Sequence, residues 1–128
     1  VADYDNDGDL DIVVANMNDR PALLRCDRRD SNHWVMFKLR GRKSNRDGIG
    51  ARITVRTGEL KQLWEVKTAV SIFSASDPRA HFGLGSAAVI DEVTVNWPSG
   101  GIQRFENVAA DCHYLIDEAD GLAKEPIQ

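Results

Sequence analysis

Two cysteines, Cys26 and Cys112, are all that this chain of 128 residues contains. They form no CxxC pair, which removes the closely spaced thiols of redox motifs and zinc ribbons. Pairing in an oxidising compartment and a life as small buried thiols both stay open; we read them as unpaired. Histidine is equally sparse. His33, His81 and His113 are dispersed, with no H-x-H or H-E-x-x-H spacing that would hold zinc. Long hydrophobic runs are missing too. Nothing approaches the roughly 20 apolar residues of a membrane-spanning helix, so no membrane insertion is expected. No stretch keeps a helical period of hydrophobics over three turns. There is no G-x-S-x-G elbow and no P-loop. Gly83, Gly85 and Ala88 match G-x-G-x-x-A, but a β-alternating segment follows where a dinucleotide site needs a helix. No pattern marks a pair of glycosidase carboxylates. The chain is therefore expected not to be an enzyme. It also lacks an initiating methionine and opens inside a motif, so it reads as a piece of a longer protein and the missing signal peptide carries no weight.

Positive charge is absent from the first 19 residues, which hold six aspartates and no Lys or Arg. Residues 20–67 carry 13 Lys/Arg against five Asp/Glu, and residues 68–128 carry three against nine. The overall charge of −4 thus hides a basic middle between acidic ends. Composition is otherwise that of a globular chain, 42% hydrophobic and 28% charged, long enough for one domain or one domain plus a fragment.

What is present reads almost entirely as strand. "LDIVVA" and "ALLRC" are short apolar runs separated by the turn-forming "NMNDRP". "HWVMFKLRG" alternates, with Val35, Phe37 and Leu39 on one face. "ARITVRTG" puts Ile53 and Val55 in and Arg52, Thr54 and Arg56 out. "LWEVKTAV" continues after a turn at Gly58–Glu59. "SIFSASDPRAHFGLG" reads as a long connection. "IDEVTVNW" sets Val93, Val95 and Trp97 against Glu92, Thr94 and Asn96. "IQRFENV" answers it across "PSGG" as a hairpin, and "HYLIDE" closes the set. From Asp120 on, "DGLAKEPIQ" reads as a frayed tail. Trp34, Trp64 and Trp97 sit on alternating strands, where packing is their default use. Strands at this spacing with turn chemistry between them predict an all-β fold, an antiparallel β-sandwich or barrel-like domain.

The opening "VADYDNDGDLDIVVAN" poses the main chemical question. Asp3, Asp5, Asp7, Asp9 and Asp11 fall at every second position beside a segment expected to be buried. Side-by-side carboxylates repel, and a hard cation is the natural counter-charge. Asp3, Asp5, Asp7 and Asp11, with the backbone carbonyl of Asp9 and a sharp bend at Gly8, supply an oxygen set suited to Ca²⁺, which takes 6–8 oxygens. An EF-hand would need Glu where Val14 stands, and flanking helices. A solvated acidic turn is the plainer alternative. The pattern D-x-D-x-D-G-x-x-D running into a strand resembles the FG-GAP/VCBS repeat of β-propeller blades. That resemblance implies that Asp3, Asp5, Asp7, Asp11 and the Asp9 carbonyl are calcium ligands, and that residues 1–30 are the remnant of a propeller blade.

Further along, "SNRDGIGARITV", "SASDPRAHFGLG" and "VTVNWPSGGIQRFENVAAD" together resemble the ASPIC/UnbV domain, which commonly follows FG-GAP/VCBS repeats, as in the cartilage acidic protein family. The resemblance spans roughly residues 31–118 and implies a β domain over 31–119 with a tail over 120–128. Glu59–Leu60 stands where that family is richer in glycine, and Cys112 is not part of its pattern. Read from the residues alone, Asn45, Asp47, Gly48 and Gly50 make a tight β-connection. Arg79 and His81 fit a structural corner, with Arg79 on Asp77 and His81 on a backbone carbonyl. A ligand loop of Arg46, Asp47, Arg79 and His81 is the alternative.

The expected function is a non-catalytic extracellular recognition or adhesion module: the end of a calcium-binding propeller plus a β-sandwich cap. The alternatives are an accessory domain of a secreted polysaccharide-acting enzyme and a structural spacer. The expected setting is extracellular, cell-surface or periplasmic, and the expected partners are the remaining propeller blades and glycans or extracellular matrix components, not nucleic acid. One cationic patch is expected if the third and fourth strands pair, because Lys38 and Arg40 share one strand face and Arg52 and Arg56 another. Its alternative is a solvated sheet face.

Overall fold

The computed structural model describes residues 1–27, 31–69 and 74–125. Val70, the start of the Ser-rich connection at 71–73, and the last three residues of the expected tail lie outside that description. The first two apolar runs form a small antiparallel hairpin, β1 (Ile12–Val14) and β2 (Ala22–Leu24), with Ile12 opposite Leu24 and Val14 opposite Ala22. Eight further strands follow: β3 (His33–Arg40), β4 (Arg52–Thr57), β5 (Leu60–Glu65), β6 (Ala80–Gly85), β7 (Val89–Asn96), β8 (Ile102–Ala109), β9 (Cys112–Asp117) and β10 (Gly121–Lys124). They make two four-stranded sheets, β10-β9-β3-β6 and β5-β4-β7-β8. All pairs are antiparallel except β3 with β9, which runs parallel.

The inner faces of the two sheets meet in one core. Val35, Phe37 and Leu39 of β3, Phe82 and Leu84 of β6, and Tyr114 and Ile116 of β9 pack against Ile53 and Val55 of β4, Val93 and Val95 of β7, and Trp97. The alternation in β4 and β7 makes this possible, because a period of two puts every second side chain on the inner face. The result is the all-β sandwich, with no closed barrel: Gln62 of β5 reaches Gly83 of β6 only through its side chain, Nε2 to the carbonyl at 2.7 Å.

Three local readings change. The connection expected over 71–85 contains a strand, β6, which lies antiparallel to β3. The expected frayed tail contains another: Gly121–Lys124 pairs with Tyr114–Asp117, and Glu125 N–H donates to the His113 carbonyl at 2.9 Å. The third strand and the fourth do not pair, since β3 and β4 belong to different sheets. The turn before β4 is instead latched to the end of β9. The Glu118 carboxylate accepts the backbone N–H groups of Arg42, Lys43 and Ser44 at 2.6–2.8 Å and the hydroxyls of Ser44 and Ser99 at 2.9 and 2.6 Å. Burial pushes this carboxyl up, but the bonds from Ser99, Ser44 and Arg42 outweigh it and hold it at about 2. Beside it, Asp117 takes the Arg42 guanidinium and the Ala119 and Asp120 N–H groups, and also lies at about 2.

Candidate functional site

The aspartate loop closes on itself through a bridge between Ala2 and Asp11, with backbone bonds of 3.1 and 2.8 Å. Gly8 turns it with a φ of +96°, a conformation that a Cβ makes costly. The closure brings carboxylate oxygens of Asp3, Asp5 and Asp11 within 4.8 Å of one another. Asp3 and Asp11 are each only 2% exposed. Backbone amides hold both in place. Asp3 accepts from Asp7 N–H at 3.1 Å and Gly8 N–H at 3.0 Å. Asp11 accepts from Tyr4 N–H at 2.9 Å and Cys26 N–H at 2.8 Å, tying the loop to the end of the hairpin. The Asp7 carboxylate accepts Asp9 N–H at 2.9 Å and, like Asp9, stands outside the three-carboxylate group.

The electrostatics of the two buried acids diverge. Burial raises the Asp3 carboxyl, and the nearby Asp7 charge adds to this against the Gly8 N–H bond and Arg79. The Cys26 and Tyr4 amides lower Asp11 more than its burial raises it. Partial counter-charge comes from Arg25, whose Nε lies 3.3 Å from Asp5 and whose guanidinium also pairs with Asp27. A cluster of hard-oxygen anions held in place by fixed backbone dipoles is the chemistry of a hard-cation site.

The loop rests on the outer face of the first sheet. Met36 pairs in register with His81 on β6 and His113 on β9, so these three share a face, with Trp34 two residues before Met36. Alternation places this face toward solvent, yet Met36 is 1% exposed and His113 is buried. The loop lies on this face, with Gly8 against Trp34 and its carbonyl on His81. A Cβ on Gly8 would fall 2.0 Å from the Trp34 ring. Trp34 stacks on His81 at 6.3 Å and meets His113 edge-on at 5.0 Å. Burial and the nearby Arg79 charge lower the His113 pKa, and among the described residues its buried Nε2 has no hydrogen-bond partner.

Arg79 and His81 attach the loop from below. His81 Nε2 lies 2.7 Å from the Gly8 carbonyl; a carbonyl only accepts, so Nε2 carries the proton. Arg79 pairs with Asp77 through Nε at 2.7 Å, and donates to Asn6 Oδ1 at 2.9 Å and to the Asp3 carbonyl at 3.1 Å. The other half of the suggested ligand loop goes elsewhere. Arg46 and Asp47 are exposed in the turn between β3 and β4, and Asp47 borders a shallow hollow with Ile49, Val66 and Pro78. Sequence reasoning missed Trp34 as a support of the loop and Met36 as a buried residue of the same face. The near-continuous apolar run "WVMF" was their signal, since a strand covered on both faces loses its alternation.

The expected cationic patch is not assembled. Lys38 and Arg40 lie on the sheet of β3, Arg52 and Arg56 on that of β4. Three of the four also face acids: Lys38 lies 3.7 Å from Glu125, Arg40 3.9 Å from Asp117 and Arg56 3.4 Å from Asp91. Both cysteines are free.

The family model described as ASPIC and UnbV matches residues 41–123. The chain belongs to the ASPIC and UnbV family. The match runs from the turn after β3 to β10, and so takes in Arg79, His81 and His113 but not the aspartate loop. This is an accessory-domain family, which is compatible with a chain that performs no chemistry of its own. Among curated proteins, none matches this chain.

Proposed function

We propose that this ASPIC/UnbV chain is a non-catalytic, calcium-dependent recognition or adhesion module that works outside the cytoplasm, in which the end of an FG-GAP/VCBS repeat is seated on the sandwich. The observation that carries the reading is the convergence of Asp3, Asp5 and Asp11 within 4.8 Å, two of them buried. Buried like charges at that separation are unfavourable without a counter-ion. The donors are all hard oxygens, which suit Ca²⁺ and not the softer transition metals. In this reading Asp7 and the Asp9 carbonyl complete the ligand set. The hairpin supports the repeat: Ile12, Val13, Val14, Leu23 and Leu24 are all exposed. A two-stranded ribbon with bare apolar faces is marginal alone, which fits the remaining blades of a propeller as its cover. Glycans or matrix components are the class of outer partner proposed.

A thermal melt tests the cation. Anything that binds the folded state alone raises the melting temperature by mass action. Millimolar Ca²⁺ should raise it relative to chelator, and Asp5→Asn, at an exposed ligand, should shrink the rise. Identical melts with Ca²⁺ and with chelator would remove the proposal.

A further inference from the structure

We infer that Arg79 and His81, side chains of the family-matched domain, are positioning residues for the cation loop, acting through two peptide planes that they clamp; the inference rests on the calcium reading above. Each clamp has two ends. His81 Nε2 holds the carbonyl of the peptide joining Gly8 to Asp9 at 2.7 Å, and the N–H of the same peptide donates to Asp7 Oδ1 at 2.9 Å. Arg79 Nη2 holds the carbonyl of the peptide joining Asp3 to Tyr4 at 3.1 Å, and its N–H donates to Asp11 Oδ2 at 2.9 Å. A peptide unit is planar, so fixing its oxygen fixes where its N–H points, and the N–H fixes a carboxylate.

The two clamps sit side by side. Arg79 immediately precedes β6 and His81 is its second residue, and both side chains reach the loop. Neither rotates freely. Asp77 grips Arg79 through both its side chain and Arg79 N–H, the latter at 2.9 Å, and His81 stacks on Trp34. The sandwich thereby sets the aim of Asp7 and Asp11 without touching the cation, and the loop presents its carboxylates in a fixed arrangement only while seated on β6. Partners that orient metal ligands in this way commonly carry about 10–100-fold in affinity.

The test uses the whole 128-residue chain with Ca²⁺ in calorimetry and Tb³⁺ in luminescence. His81→Phe keeps the ring on Trp34 and removes the donor; His81→Gln returns an N–H donor. Arg79→Lys keeps the charge and loses the fork. Melting in chelator and near-UV dichroism report the fold of each, and Arg79→Lys carries the comparison if His81→Phe does not fold. The expected result is at least about tenfold weaker Ca²⁺ binding in His81→Phe, more water in the inner shell of bound Tb³⁺ by its luminescence lifetime, and recovery of both in His81→Gln. Wild-type affinity and Tb³⁺ lifetime in both His81→Phe and Arg79→Lys would overturn the inference and leave the calcium proposal standing. Failure of the unmodified chain to bind either ion at millimolar concentration would overturn both.

Discussion

Gly8 carries more structural consequence than any other single residue of the loop. Its φ of +96° and the Trp34 ring 2.0 Å from where a Cβ would stand leave no room for a side chain. Gly8→Ala should cost about 1–3 kcal/mol by overpacking, measured by urea denaturation, and should unseat the loop. Glu118 offers a second test at the same scale, by pH. Its carboxyl is lowered from the ordinary 4.5 to about 2 by the amides and hydroxyls around it. A lowered carboxyl contributes stability that is fully present above the unfolded value and is lost as pH falls through the folded one. Melting temperature should therefore decline between about pH 4.5 and 2, with Asp117 contributing over the lower part, from 3.8 to about 2. Glu118→Gln should lower the melting temperature at neutral pH and flatten that acid limb. An unchanged acid limb in the variant would show that other carboxylates set it.

Among the elements, β3 is the most informative. Strict alternation makes Met36 an outward residue whose truncation is harmless. At 1% exposed, it should instead behave as a core residue, and Met36→Ala should cost about 2–5 kcal/mol, against little for the exposed Lys38→Ala. Denaturant midpoints of the two variants decide between the readings. The strands legible in the sequence were those with one buried and one wet face, such as Arg52–Thr57 and Val89–Asn96. The illegible ones failed for separate reasons. Gly83 and Gly85, after a Ser-rich approach, made Ala80–Gly85 look like loop, although glycine in a strand often marks a bulge, and here the register of β3 on β6 shifts between His33 and Trp34, opposite Gly85 and Gly83. Gly121–Lys124 is too short and too polar to announce itself; its place beside β9 is a tertiary fact. The partners of β3 were hidden because they are distant in sequence. β3 lies between β6 and β9, and no local pattern encodes that.

At the scale of the molecule, the four cations expected to share one patch do not come together. The sandwich separates Lys38 and Arg40 from Arg52 and Arg56 and supplies acids to three of them. With a net charge of −4, the chain should pass a heparin column near the void even at low salt, and Arg52→Ala/Arg56→Ala should not alter this; strong, salt-sensitive retention would contradict it. The candidate site was legible as chemistry, because five alternating aspartates are read directly from the sequence. Its seating was not, because the bonds from Arg79 and His81 to the loop join residues up to 76 positions apart in the chain.

Central to the proposed function is that the aspartate loop, seated on the ASPIC/UnbV sandwich, takes up Ca²⁺. Isothermal titration of the chain with Ca²⁺ tests it without an intermediary. A saturable heat with one ion per chain is expected, lost when Asp3 or Asp11 is replaced by Asn in a chain that still folds. A flat titration up to millimolar Ca²⁺, on protein shown folded by its melt, would contradict it.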